Sequence, residues 1–322
     1  IIGFLGHLGL GFMTLLFCLV LLRDLTLLLF RKTSSLRRNS RSNKRDQHRR
    51  AFLINLSNLG MLAIAGSSTA YGYVQAVKTP KLNKIDIKIP NLHPDLKGLT
   101  ILQLTDLHVG ATIKKEFIDA LVKKCLEVNP DILVLTGDLA DGQAFLLKDH
   151  VSSFKQLNPR MGKYFVTGNH EYYSDLPGWL DVTQELGFNN LLNSHTTIQH
   201  GKGLLTIAGV TDYNGGKMLA SHRSDPAKAL KGCPADSTKI LLAHQPKSVY
   251  EAAKLGVDFQ ISGHTHGGQY FPGNLFVRLD QPYVAGLYQL KKTQLYVSRG
   301  TGYWGPPMRL GIASEITLFT LS

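Results

Sequence analysis

Hydrophobic residues follow two patterns along the chain. The first 74 positions hold long apolar stretches, and the remainder holds short apolar runs cut by polar turns. Ile1 to Leu22 has only His7 and Thr14 as clearly polar members, and beyond Arg23 and Asp24 the apolar character resumes from Leu25 to Phe30. This meets the roughly 20 residues that a helix needs to cross a bilayer. A weaker stretch runs from Ala51 to about Tyr73, interrupted by Asn55, Ser57, Asn58, Ser67, Ser68 and Thr69. Residues 1–30 and 51–74 are therefore expected to be transmembrane helices. A buried core helix is the alternative for either.

From residue 75 the period changes. Ile85, Ile87 and Ile89 alternate with Asp86 and Lys88, so a connector over 75–97 contains a half-buried strand. Phe117, Ile118, Leu121, Val122 and Cys125 recur at helical spacing and predict a helix over 114–128, stopped by Asn129-Pro130. Further helices are expected at 177–187 and after Pro246 up to Gly256. Leu204 to Ala208 reads as a strand, and alternation at Leu295–Val297 and Ile316–Leu321 makes the end β-rich. Residues 98–322 thus form an α/β domain of stacked sheets flanked by helices rather than one doubly wound sheet.

Charge refines the first part. Residues 31–50 hold nine Lys or Arg against the single acid Asp46, a charge of +8, so the rest of a chain at +13 carries only +5. Such a run reads as a nucleic-acid tail when free. Here it joins two apolar spans, so it is expected to be a basic cytoplasmic link. No nucleic-acid partner is expected, and the domain after residue 74 falls on the extracytoplasmic side. His48-Arg49-Arg50-Ala51-Phe52-Leu53 also resembles a twin-arginine export signal, and cleavage there would release the domain. The chain starts on Ile1 rather than Met, as a piece of a longer chain would. Cys18, Cys125 and Cys233 form neither a disulfide framework nor a thiolate zinc motif.

Five apolar runs end on groups that bind metals. Leu99–Thr105 leads to Asp106 and His108, Asp131–Gly137 to Asp138, Tyr164–Gly168 to Asn169-His170-Glu171, Lys239–Ala243 to His244, and Val257–Gly263 to His264 and His266. Parallel strands of α/β folds carry their sites at the carboxyl edge, so five such ends can meet in one place. Imidazole and oxygen donors without thiolate suit Mn, Fe or Zn. Seven such ligands suffice for two ions sharing a bridge.

In order and spacing, Asp106-x-His108, Gly137-Asp138, Gly168-Asn169-His170-Glu171, His244 and Gly263-His264-x-His266 resemble the calcineurin-like metallophosphoesterases. The apolar amino end, Ser298-Arg299-Gly300-Thr301-Gly302 and Pro307-Met308-Arg309 resemble the membrane-associated YkuE/YaeI-like branch. The resemblance covers about residues 98–322. It implies an αββα sandwich of two mixed sheets and a dinuclear site. Asp106, His108, Asp138 and His266 would hold one ion, and Asp138, Asn169, His244 and His264 the other. His170, a non-ligand, would serve as general acid or charge stabiliser. Glu171 would orient a histidine or be a solvated loop acid. Arg299 and Arg309 would grip substrate phosphate or be ordinary surface residues. Tyr303 and Trp304 would form an apolar wall, touch lipid or pack in the core, and the segment from Met218 to Cys233 could serve as a lid.

The implied function is a membrane-tethered hydrolase with two divalent metal ions, acting on an envelope phosphoester such as a phospholipid head group, a lipid-linked pyrophosphate or a wall polymer. Two alternatives stand beside it. One is a pyrophosphatase acting on a UDP-linked lipid A precursor, which needs the domain in the cytoplasm. The other is a catalytically inactive membrane scaffold.

Overall fold

The computed structural model describes residues 2–34 and 44–322, so residues 35–43 of the expected basic link lie outside the described residues. Two long helices open the chain, α1 (Ile2–Ser34) and α2 (Lys44–Val77). They form an antiparallel hairpin: Phe4 stacks edge-on against Tyr73 at 5.5 Å, and Arg23 hydrogen-bonds Asn58. Most of their large apolar side chains face outward, among them Phe17, Leu22, Leu29, Phe52, Leu59 and Ile64. Apolar stretches of 28 and 31 residues, Gly3–Phe30 and Gln47–Val77, are long enough to cross a membrane.

The described residues then contain twelve strands: β1 (Lys81–Ile87), β2 (Thr100–Leu104), β3 (Ile132–Thr136), β4 (Lys163–Val166), β5 (Asn189–Asn190), β6 (Ser194–His200), β7 (Gly203–Gly209), β8 (Thr238–Leu242), β9 (Phe259–Ser262), β10 (Gly286–Leu290), β11 (Thr293–Val297) and β12 (Glu315–Leu321). They make two six-stranded sheets, ordered β1-β12-β2-β3-β4-β5 and β10-β11-β9-β8-β7-β6. Both are mixed. β12 runs antiparallel to β2 in the first, and β10 and β6 run antiparallel to their neighbours in the second.

Alternation along the strands builds three layers of core. Ile101, Val134 and Val166 meet Ile207, Ile240, Leu242 and Ile261 between the sheets, with Phe319 stacked on Phe259 and Tyr296 at 5.1 Å each. Leu102, Leu104, Leu133, Leu135 and Phe165 point the other way, against Ile118, Leu121, Val122 and Cys125 of α3 (Lys115–Val128) and against Trp179. Ala208, Leu241 and Ala243 pack on Ala229, Ala252 and Val257. Each fully buried Leu, Ile or Val contributes about 1.5–3 kcal/mol of transfer free energy, which is why these strands are apolar on both faces.

The expected helix ends hold for reasons visible locally. Asn129 adopts a left-handed conformation (φ 48°) and its N–H returns to Cys125 O, closing α3 before Pro130. Asp175 caps the helix Leu176–Glu185 through Gly178 N, with Pro177 in the first turn. The helix expected after Pro246 is shorter: a 3₁₀ turn Pro246–Ser248 and one α-turn Val249–Ala252.

The hairpin and the domain touch. Leu15 and Ala65 are buried against Met308, with Phe12, Leu16, Leu19, Tyr270 and Leu310 around them. Arg309 N donates to Gly72 O at 3.0 Å, and a side chain at Gly72 would collide with Met308.

Candidate metal centre

The sheet order places the five strand ends side by side. β2, β3 and β4 are neighbours in the first sheet, and β8 and β9 are neighbours in the second. The loops leaving them turn sharply. Asp106, His108, Asp138, His264 and His266 all have positive φ, between 50° and 73°. Non-glycine residues adopt that conformation at a cost of about 1–3 kcal/mol each, and such strain gathers at functional sites. The neighbouring glycines are there for close approach: a Cβ on Gly168 would strike Asp138 Oδ1, and one on Gly263 would strike Asp106 Oδ2.

Asp138 lies at the centre. Its Oδ2 is 3.1 Å from His244 Nε2, 3.7 Å from His108 Nε2 and 4.0 Å from His170 Nε2. The ligand atoms of Asp106, His108 and His266 lie within 4.8 Å of one another, and so do those of Asp138, His244 and His264. All of these except His264 are buried.

The donors fit cations. His108 Nδ1 donates to Asp141 Oδ1 at 2.9 Å, and His244 Nδ1 donates to Thr136 O at 2.8 Å. Each neutral ring therefore turns an Nε2 lone pair inward. There His108 Nε2 comes within 3.0 Å of His266 Nε2, and His244 Nε2 within 3.2 Å of His264 Nδ1. Lone pairs face lone pairs and the Asp138 carboxylate, an arrangement that needs a proton or a cation between them. Asn169 Oδ1 is buried beside them without a hydrogen-bond partner, the state of an oxygen kept for a ligand.

The titration behaviour has the same cause. Burial alone would depress His244, but Asp138, Asp106 and Asp212 raise it well above an ordinary imidazole. A positive charge is thus drawn to the middle of the site. Burial, with the charge on His244, holds His264 down to about 3, and burial, His108 and Arg309 hold His266 low as well. Asp138 stays well below the usual carboxylate range because His244, His170 and His108 outweigh its burial.

His170 stands at the edge of the ligands, near the surface. Its N–H donates to Asp138 Oδ1 at 2.9 Å, and its Nδ1 is 2.6 Å from Asp141 Oδ1. Burial would lower its pKa, but the Asp141 hydrogen bond and the charges of Asp138 and Asp141 raise it to about 9. Its ring meets His108, Tyr173 and Trp304 edge-on. These residues line a cavity of about 760 Å³, with His108, Asp138, Asn169, His264 and His266 on one side.

Asp141 has no counterpart among the expected site residues, yet it hydrogen-bonds both His108 and His170. Its signal was its place three residues after Asp138, on the same loop. Glu171 turns out to orient backbone rather than a histidine. It accepts from Asp138 N, Leu139 N and Gly168 N, tying the ends of β3 and β4 together. Asp212 lies near the site, buried, and accepts from Gln245 Nε2 at 3.0 Å.

Both arginines expected at substrate are engaged elsewhere. Arg309 is fully buried behind His266 and donates to Gly302 O, and Arg299 pairs with Glu315 at 2.8 Å. Neither lines the cavity. Of the aromatic pair, Trp304 lines it and Tyr303 is buried in the core with α3. The segment from Met218 to Cys233 also lies off the cavity, where His222 hydrogen-bonds Tyr172.

Comparison with known proteins agrees with this geometry. Residues 99–268, which carry every expected ligand, match the calcineurin-like phosphoesterase family model. The chain belongs to that family. It is 38% identical over 269 residues to the "Transmembrane protein with metallophosphoesterase domain" of Danio rerio, covering 81% of this chain and 61% of that protein. A further match is the "Uncharacterized metallophosphoesterase Cj0846" of Campylobacter jejuni, 35% identical over 280 residues, or 86% of this chain and 73% of that one. The chain spans about 60% of the length of the vertebrate relatives it matches. A "5'-nucleotidase precursor" from Thermus thermophilus is a distant structural neighbour, 16% identical with a TM-score of 0.43, covering 69% of this chain and 54% of its own.

Proposed function

We propose that the chain is a membrane-tethered phosphohydrolase that uses two divalent metals to cleave an envelope phosphoester. The observation that carries this reading is the convergence of six ligand-type side chains around Asp138, beside His170 and an open cavity. Asp106, His108, Asp138 and His266 would hold one ion. Asp138, Asn169, His244 and His264 would hold the other. When bound, such a pair clamps phosphoryl oxygens and makes water a better nucleophile near neutral pH.

The protein's own groups supply the rest. Asp141 fixes His170 through Nδ1, so Nε2 is left to give a proton to the leaving oxygen. In the reaction a water oxygen bonds to phosphorus and releases a proton to solvent, the phosphorus–oxygen ester bond breaks, and the departing oxygen takes a proton from His170, which solvent then reprotonates. Asp141 also fixes His108, so one carboxylate orients both a ligand and the proton donor.

The antiparallel pairing of the two helices leaves Ser34 and Lys44 at one end of the hairpin and Val77, where the domain begins, at the other, which supports a link and a domain on opposite sides. A cytoplasmic link gives an extracytoplasmic domain. The test is hydrolysis of bis(p-nitrophenyl) phosphate by the full chain in detergent, reconstituted with Mn²⁺. Turnover that disappears in Asp138→Asn and on chelation supports the reading. Unchanged turnover in Asp138→Asn overturns it.

A further inference from the structure

We infer that the site cavity opens sideways into the bilayer and that its substrate is an amphiphile, a phosphoester head carrying a long apolar chain. This deepens the proposed function and rests on it. The first observation is depth. A bilayer core takes about 20 helical residues. Whichever 20 are drawn from the apolar stretch Gly3–Phe30, positions 11 to 22 are always among them. Phe12, Leu15, Leu16 and Leu19 fall in that interval, and the domain residues Tyr270, Met308 and Leu310 pack directly on them. Thr14 falls there too, and it lines the cavity that contains His170. One wall of the site is therefore a membrane-spanning helix at hydrocarbon depth.

Chemistry is the second observation. The remaining lining is largely apolar and includes Thr14, Tyr270, Phe276, Val277, Trp304 and Pro306. Little on this wall could solvate a charged leaving group. Thr14 Oγ1 donates to Leu10 O within its own helix, and Gln269 spends its amide on the Trp304 and Pro306 carbonyls.

The third is exposure. The helix Gly273–Asp280 buries none of its residues, and Leu279 is 83% exposed. Leu275, Phe276 and Phe271 are exposed beside it, with Trp304 at the cavity rim. Exposed apolar side chains beside a cavity that Thr14 of the first long helix also lines, with a tryptophan at its rim, belong in the bilayer interface. A phosphoester lipid would place its head at His170 and Asp138 and lead its chain past Phe276 into the hydrocarbon.

Two esters with one leaving group test this: p-nitrophenyl methyl phosphate and p-nitrophenyl octyl phosphate, with the Mn²⁺-loaded full chain in dodecyl maltoside. A fully buried methylene is worth about fourfold. Even partial burial predicts that kcat/KM for the octyl ester exceeds that for the methyl ester by about tenfold or more. Phe276→Ser should cut this ratio at least about threefold, and Val277→Ser should do the same by a smaller factor. Partition into micelles is common to all three proteins, so the change in ratio reports the wall itself. Equal rates for the two esters in the unsubstituted chain, or the same ratio in all three proteins, would overturn the inference and leave the phosphohydrolase standing. Hydrolysis of neither ester would overturn both.

Discussion

In one part of the cavity lining His108, Asp138, Asn169, His170, His264 and His266 stand on loops that leave buried strands; in the other, Thr14 comes from a long helix and Phe276 from a short one that buries none of its residues. The first wall is held from behind. Glu171 ties two of its loops through backbone N–H groups, and Thr136 and Asp141 fix the histidines. Around Phe276 the second wall lacks that bracing, because the helix Gly273–Asp280 buries no residue. The contrast separates two tasks. Ligand geometry needs rigidity to a fraction of an ångström, whereas accepting an apolar chain needs only surface.

Breaking the polar wall should therefore cost most. Asp138→Asn, or chelation with EDTA, is expected to lower kcat on an aryl phosphodiester about a thousandfold or more, with Mn²⁺ restoring only the chelated protein. His170→Asn should cost about 10²–10⁴-fold, and more with an alkoxide leaving group than with nitrophenolate, because only the alkoxide needs the proton. A leaving-group comparison checks this. Asp141→Asn should cost about 10–100-fold in kcat or metal affinity, since it loosens two histidines without removing a ligand.

The smallest effect on chemistry should come from the scaffold behind both walls. Asp131 accepts from Thr100 N, Thr100 Oγ1 and Arg160 Nε, between β2 and β3. Asp131→Asn is expected to cost about 1–3 kcal/mol of stability while leaving hydrolysis intact. Burial would raise this carboxyl, but Arg160 and the Thr100 donors hold it below the usual range. A depressed folded pKa gives stability that is present above the unfolded value and lost as pH falls through the folded one. Acid unfolding of the unsubstituted chain should thus show a contribution below about pH 4 that Asp131→Asn lacks.

The two walls also differ in how far the sequence reveals them. Each expected ligand sits at the end of an apolar run, and strand periodicity and residue chemistry are both local signals. The meeting of the five strand ends followed from the α/β pattern, but the division of β2, β3 and β4 from β8 and β9 between two sheets did not. Asp141 was harder to see, because an acid three residues beyond a turn is ordinary loop chemistry until its partners His108 and His170 are placed. Arg309 misled for the converse reason. Its guanidinium looked like a phosphate grip, but burial commits it to backbone carbonyls behind His266. Of the apolar wall, the sequence singles out only Trp304. Thr14 and Phe276 lie more than 250 positions apart, and only the packing of Tyr270 and Met308 on the hairpin brings their segments together.

The central claim is that Asp138 is shared between two cations. Elemental analysis of the Mn²⁺-reconstituted, dialysed full chain tests it most directly. The account predicts two ions per chain, falling to one or none in Asp138→Asn. No bound metal, or a full complement in Asp138→Asn, would contradict it.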